Sequence, residues 1–213
     1  LLDNYDYAII TKDNIKFNKE KELLSNDNKI SDTSLGNFKH YMLKEIYEEK
    51  EVVKNIIDYY LKDKSLFEKR VLDLSKYKKI DIVACGSAYH AGMIGKYILE
   101  ENKDIAIDVA SEYRYRKTLI SKDTLLILIS QSGETADTLA CLNKASDIDT
   151  LGIVNVETSR LARETKYQMF LKCGVEVAVA TTKAYFSQVL MMKLLKYRLD
   201  NKYKEALEYF NKL

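Results

Sequence analysis

The chain has 213 residues, with 34 Lys+Arg against 32 Asp+Glu for a net charge of +2, enough for one large domain or a domain with an appendage. The near balance of charge removes any demand for a polyanionic partner, so nucleic acid is not expected, and no apolar run approaches the roughly 18 residues of a membrane span. Three cysteines without a C-x-x-C pair and only 2 histidines argue against a disulfide framework or a metal cluster, so the expectation is a reduced, soluble, cytoplasmic protein with no metal and no cofactor.

Proline is absent, and six of the 7 glycines (Gly86, Gly92, Gly95, Gly133, Gly152, Gly174) lie between residues 86 and 174. Most of those six fall at strand ends or helix starts, which marks these loops as needing glycine for backbone reasons.

Residues 1–20 alternate weakly, Tyr7-Ala8-Ile9-Ile10 and then Ile15-Lys16-Phe17 around Thr11-Lys12-Asp13-Asn14, and read as a small β-hairpin. It has too few apolar residues to stand alone, so it is expected to pack on something outside this chain or to be loosely held. Residues 18–38 read as a polar linker. From Tyr41 to Lys62, Met42, Ile46, Val53, Ile57 and Tyr60 make one apolar helical face with charge opposite, and a shorter helical piece follows around Ser65 to Leu74. Then short apolar runs (Ile80–Ala84, Ile105–Ala110, Leu125–Ile129, Leu151–Val154, Met169–Leu171) alternate with helix-length segments, the pattern of a five-stranded parallel α/β sheet. Thr181–Leu199 reads as a largely apolar helix, and Lys202–Lys212 as a shorter amphipathic one.

Function is concentrated in L-L-I-L-I-S-Q-S-G-E-T-A-D-T, residues 125–138. A run of five apolar residues fits a strand buried on both faces; it passes through Ser130-Gln131-Ser132-Gly133 into a helix expected over Glu134–Ala145. In an open parallel sheet this junction lies at the carboxyl edge, where ligands bind. Its backbone N–H groups, three hydroxyls (Ser130, Ser132, Thr135) and one amide (Gln131) form an anion cradle without a cation. It lacks the G-x-x-x-x-G-K-[ST] of a nucleotide loop, so a single phosphate suits it. An ordinary Ser/Thr helix cap fits the same local pattern equally well.

A second strand–glycine–helix junction, Ala84-Cys85-Gly86-Ser87-Ala88-Tyr89-His90, could line the same crevice and add the Ser87 hydroxyl. It is not the dinucleotide fingerprint. His90 has no local carboxylate partner, which favours packing or capping over acid–base work, and Cys85 reads as a small core residue rather than a nucleophile. A third loop, Val177 to Ala184, offers Thr181 or Thr182 as a cap for the long helix. Lys183 there reads as solvated, with phosphate pairing or imine formation as alternatives. Arg114 and Arg116 resemble a subunit or subdomain contact more than a substrate clamp.

Together, A-C-G-S-A-Y (84–89), A-S-E-Y-R-Y-R (110–116), S-Q-S-G-E-T-A-D-T (130–138) and V-A-T-T-K-A (179–184) resemble the sugar isomerase (SIS) domain. With H-Y-M-L-K-E-I before them at 40–46, they are similar, over residues 39–199, to its version in the glutamine:fructose-6-phosphate aminotransferase family. The resemblance implies a three-layer α/β/α sandwich with a flavodoxin-like, five-stranded parallel sheet over residues 39–213. It also implies that residues 1–38 are the tail of a glutaminase domain plus linker. It resembles only the first of two SIS subdomains, so the family's imine-forming lysine, proton-abstracting glutamate and ring-opening histidine have no counterpart here, and Lys183 is not the imine lysine. The implied partners are fructose 6-phosphate or glucosamine 6-phosphate, the missing glutaminase domain and second SIS subdomain, and a second copy in a homodimer. The implied site is Ser130, Gln131, Ser132 and Thr135 on the phosphate, with Ser87, Ala88 and Val179 near the sugar, and no catalytic residue. The family commonly has Thr-Ser where this chain has Ser87-Ala88; the hydroxyl at 88 is gone, and Ser87 or a water would have to substitute. Two other readings stay open: a freestanding phosphosugar isomerase drawing its base from His90, Glu134 or Lys183, and a non-catalytic phosphosugar sensor. The chain has no helix-turn-helix or basic stripe for a DNA-binding regulator.

Overall fold

The computed structural model describes residues 5–20, 33–116 and 120–213, in two compact units, Leu1–Asp32 and Thr33–Leu213. In the smaller unit, β1 (Ala8–Ile10) and β2 (Ile15–Phe17) form the expected antiparallel hairpin, with Ala8 opposite Phe17 and Ile10 opposite Ile15. The Thr11 amide closes the turn by donating to the Asn14 carbonyl at 2.8 Å. Tyr7, Ile9, Ile10 and Ile15 are all exposed, so the hairpin has no core of its own. Residues 21–32 of the expected linker lie outside the described residues.

The larger unit begins with α1 (Tyr41–Tyr47) and α2 (Glu49–Ile56), which runs into a π-helical turn (Ile57–Leu61), and then α3 (Lys64–Arg70). The single helix expected over 41–62 is therefore stepped. Glu48 opens to ψ −9, and the widened last turn seats Tyr60 on the sheet, where its hydroxyl donates to the Phe170 carbonyl at 2.9 Å and accepts from the Phe170 amide at 2.6 Å.

Strands β3 (Lys79–Ala84), β4 (Asp104–Val109), β5 (Thr124–Ser130), β6 (Asp149–Val154) and β7 (Tyr167–Phe170) pair in parallel in the order β4-β3-β5-β6-β7. Counted within the sheet this is 2-1-3-4-5, the flavodoxin-like order. Between and after them come α4 (Gly86–Leu99), α5 (Ala110–Tyr113), α6 (Ala136–Leu142), α7 (Arg160–Glu164), α8 (Lys183–Leu199) and α9 (Tyr203–Asn211). Ile80, Ile82, Leu125, Ile127, Leu151 and Ile153 face a core shared with α2, α4, α8 and α9. Val83, Leu126 and Leu128 face Leu139, Leu142 and Leu161 of α6 and α7. With both faces covered the sheet makes three layers, and every residue of β5 is buried, which is why its sequence runs apolar without alternation. Among the described residues no helix is long and apolar enough to cross a membrane.

The amino edge of the sheet is tied by one carboxylate. Asp149, the first residue of β6, accepts from Tyr77 Oη at 2.6 Å, Lys76 Nζ at 3.1 Å and Lys166 Nζ at 2.6 Å. Burial alone would raise its pKa, but the hydrogen bonds from Lys166, Tyr77 and Lys76 outweigh burial and hold it well below the usual carboxylate range. A carboxylate depressed in the folded state stabilises fully above its unfolded pKa, near 3.9, and progressively less as pH falls below that value. Asp149→Asn is therefore expected to lower the urea midpoint clearly at pH 7 and by a smaller margin at pH 3, measured by fluorescence or circular dichroism.

Candidate functional site

Strand order reverses between β3 and β5, so the chain leaves their carboxyl ends in opposite directions and a crevice opens between them. Cys85 leaves β3 extended (φ −122, ψ 150) as the residue before α4, and Gly86 takes φ +56, which glycine adopts without strain. Ser87 and Ala88 come from this junction; Ser130, Gln131, Ser132 and Thr135 come from the end of β5. These six line an open cavity of about 220 Å³ together with Cys85, Ile129, Thr181 and Gln188. Thus six of the seven expected site residues meet at one place, and no lining residue carries a charge. Val179, the seventh, stands fully exposed on its loop and does not line the cavity.

Hydrogen bonds within the 130–135 loop fix its donors. Ser130 Oγ lies 2.9 Å from Thr135 Oγ1 and accepts from the Gly133 amide at 3.0 Å, and Ser132 Oγ accepts from the Glu134 amide at 3.2 Å. The helix expected from Glu134 starts later, at Ala136, because Gly133 to Thr135 are spent on the turn. Thr135 occupies the N-cap position of α6 but its side chain makes no capping bond; its hydroxyl is committed to Ser130 instead, so an ordinary helix cap does not account for it. The loop is clamped from behind by the β6–α7 connection. The Asn155 amide donates to the Gln131 carbonyl at 3.0 Å, the Leu161 amide to the Gly133 carbonyl at 3.1 Å, and the Arg160 amide to Glu134 Oε1 at 2.6 Å.

The third loop is held by carboxylates that the sequence reading missed. Glu45 of α1, only 2% exposed, accepts from the amides of Val177 and Ala178 at 2.6 and 2.9 Å and from Thr182 Oγ1 at 3.0 Å. Glu176 accepts from the amides of Thr182 and Ala184 at 2.8 and 3.2 Å and from Thr181 Oγ1 at 3.0 Å. Glu176, not Thr181 or Thr182, thus caps α8. Lys183 is buried rather than solvated, at 5% exposure with its ammonium 2.6 Å from Glu48, because the open start of α8 packs against α1 and the turn that follows it. The H-Y-M-L-K-E-I stretch was the only hint of Glu45, and helical periodicity had placed it on the charged, solvent-facing side.

Other singled-out residues fall away from the cavity. His90 is exposed with its ring edge-on to Tyr89. Arg114 and Arg116 pair within the chain, with Asp137 and Asp108. Cys85 is the exception: partly buried, it packs against the core on the α6–α7 side of the sheet, as expected, and also lines the cavity. Among the described residues no group of His, Cys, Asp or Glu could hold a metal ion.

Gly133 carries the tightest constraint in the loop. Its φ is +69, and an added Cβ would lie 2.1 Å from Ser159 Oγ, the oxygen that caps α7 by accepting from the Ala162 amide. Gly133→Ala is expected to destabilise the fold by roughly 1–3 kcal/mol from overpacking, plus backbone strain. Gly36→Ala, at φ +58 with open space around it, should cost only the strain, and urea unfolding of the two variants side by side measures the difference.

The sequence matches the SIS domain over residues 73–197. Among curated proteins, the glutamine–fructose-6-phosphate aminotransferase (isomerizing) of Chlamydia caviae is 45% identical over 177 residues, covering 79% of this chain and 29% of that protein. Its counterpart in Acinetobacter baylyi is 41% identical, covering 91% of this chain and 35% of that protein. The chain therefore spans about a third of the length of these relatives. Among solved structures, the C-terminal domain of glucosamine-fructose-6-phosphate aminotransferase from Francisella tularensis matches with a TM-score of 0.75 at 35% identity, covering 84% of this chain and 54% of that one. The matched segment takes in all five strands of the parallel sheet and both junctions of the cavity, and the chain belongs to the SIS domain family.

Proposed function

We propose that this chain is the first SIS subdomain of a glutamine:fructose-6-phosphate aminotransferase, and that its cavity binds the phosphate of fructose 6-phosphate or glucosamine 6-phosphate. The observation that carries this reading is the convergence of Ser87, Ser130, Ser132 and Thr135 on one uncharged cavity at the strand-order reversal. The bond between Ser130 and Thr135 and the amides on Ser130 and Ser132 hold the hydroxyls in place; one of the Ser130–Thr135 pair donates to the other, which leaves the second hydroxyl of the pair and that of Ser132 to donate hydrogen bonds to a phosphate. The 14-residue helix α4 starts at the opposite wall and adds the partial positive charge of its amino end. Ala88 contributes no hydroxyl, which leaves Ser87 as the donor of that turn.

In this reading the chain binds and orients the ester, while proton transfer and amino transfer belong to a second SIS subdomain. Residues 1–38 are then the end of a glutaminase domain with its linker, residues 39–213 the SIS domain, and the assembly a cytoplasmic homodimer serving amino-sugar synthesis. Support comes from the 40–46% identity to aminotransferases of that name. A freestanding isomerase is disfavoured because none of its three candidate bases lines the cavity: His90 is outside it, Glu134 is engaged by the Arg160 amide, and Lys183 is paired with Glu48. A stand-alone sensor has no feature of its own in the described residues to support it.

Titration calorimetry tests the assignment. Fructose 6-phosphate is expected to bind and free fructose not to, and the Ser130→Ala/Thr135→Ala double variant should lose about tenfold or more in affinity, the effect of one or two hydrogen bonds to a charged group. Absence of heat with any hexose phosphate would sink the reading. No interconversion of hexose phosphates is expected from this chain alone; turnover abolished by His90→Ala would favour the isomerase instead.

A further inference from the structure

Gln188 lies in the second turn of α8, is 3% exposed and lines the cavity. Its Oε1 is buried without a hydrogen-bond partner among the described residues. An unpaired buried amide oxygen weakens the folded state, and in the wall of a cavity a ligand can supply the missing donor. The helix that carries it is fixed in place. Its neighbour Ser187 donates to the Leu171 carbonyl at 2.5 Å, the start of α8 is pinned by Glu176 and by the Lys183–Glu48 pair, and Met192, one turn further along the same face, meets Gly95 of α4.

The polarity of this oxygen identifies its partner. The Ser130–Thr135 wall presents hydroxyls, which can donate to a phosphate dianion; the dianion carries no proton for an amide oxygen to accept. A sugar hydroxyl does. We propose that Gln188 is a specificity-determining residue whose Oε1 accepts a hydroxyl of the sugar portion of a phosphate ester, with the phosphate at Ser130–Thr135 and the carbon chain running toward α8. The inference rests on the phosphosugar reading of the cavity and adds to it the group that distinguishes a polyhydroxylated ester from phosphate alone.

The test compares the 213-residue chain with Gln188→Met, which keeps the side chain's length and removes the amide, acceptor and donor together. Each is titrated with fructose 6-phosphate and with inorganic phosphate, and each ligand-free chain is melted. The expected result is about a tenfold loss for fructose 6-phosphate, unchanged affinity for phosphate, and a melting temperature no lower than the parent's, since the oxygen removed was unpaired. A loss under threefold for the ester overturns the proposal. So does an equal loss for phosphate, which would make the amide a phosphate donor, and so does a marked fall in melting temperature, which would make the oxygen a structural acceptor. If the parent chain itself fails to bind fructose 6-phosphate, the phosphosugar reading falls and this inference falls with it, an outcome distinct from a selective effect of the variant.

Discussion

Parallel strands are joined by right-handed crossovers, so a sheet that begins at an interior strand must reverse its winding once. Here the reversal lies between β3 and β5. Everything that gives the chain a site follows from it. The two connections depart to opposite faces, leaving the carboxyl ends of β3 and β5 open to each other, and glycine turns at Gly86 and Gly133 place Ser87 and the 130–135 hydroxyls on facing walls. The two hydrophobic layers that hold the sheet flat against its helices also fix the separation of those walls.

A second layer of organisation comes from acidic side chains turned inward. Glu45 and Glu176 together accept six of the bonds that shape residues 177–184, and Glu48 neutralises the buried Lys183. Buried carboxylates are tolerable when their oxygens meet several N–H and O–H donors. The consequence is mechanical: α1, far from the cavity in sequence, holds the loop that leads into Thr181 and the start of α8, both of which supply cavity-lining residues.

The cavity itself is built without charge. Hydroxyls and helix-start amides act through geometry rather than through a counter-ion, and the loop that carries them is clamped from behind by Asn155, Arg160 and Leu161. The same loop has no room for a side chain at position 133. The Ser130–Thr135 hydroxyls on one wall and the unpaired Gln188 oxygen of α8 on another make the cavity asymmetric.

The five strands, the hairpin and the polar 130–135 turn were legible in the sequence because their signals are local. A β5 buried on both faces reads as an unbroken apolar run, and a strand ending in Ser-Gln-Ser-Gly reads as a turn. The stepped first helix, the inward Glu45, the buried Lys183 and the orphaned Gln188 were not legible. Each depends on segments remote along the chain, Glu45 and Val177 being 132 residues apart and Gln188 being buried against the ends of β3 and β5, and periodicity carries no record of a contact between distant segments. The sequence by itself determined the layers of the fold and the hydroxyl-rich turn after β5; only the tertiary structure decided which charged and amide side chains turn inward, because that choice depends on which donors and acceptors the folded chain brings within hydrogen-bond reach.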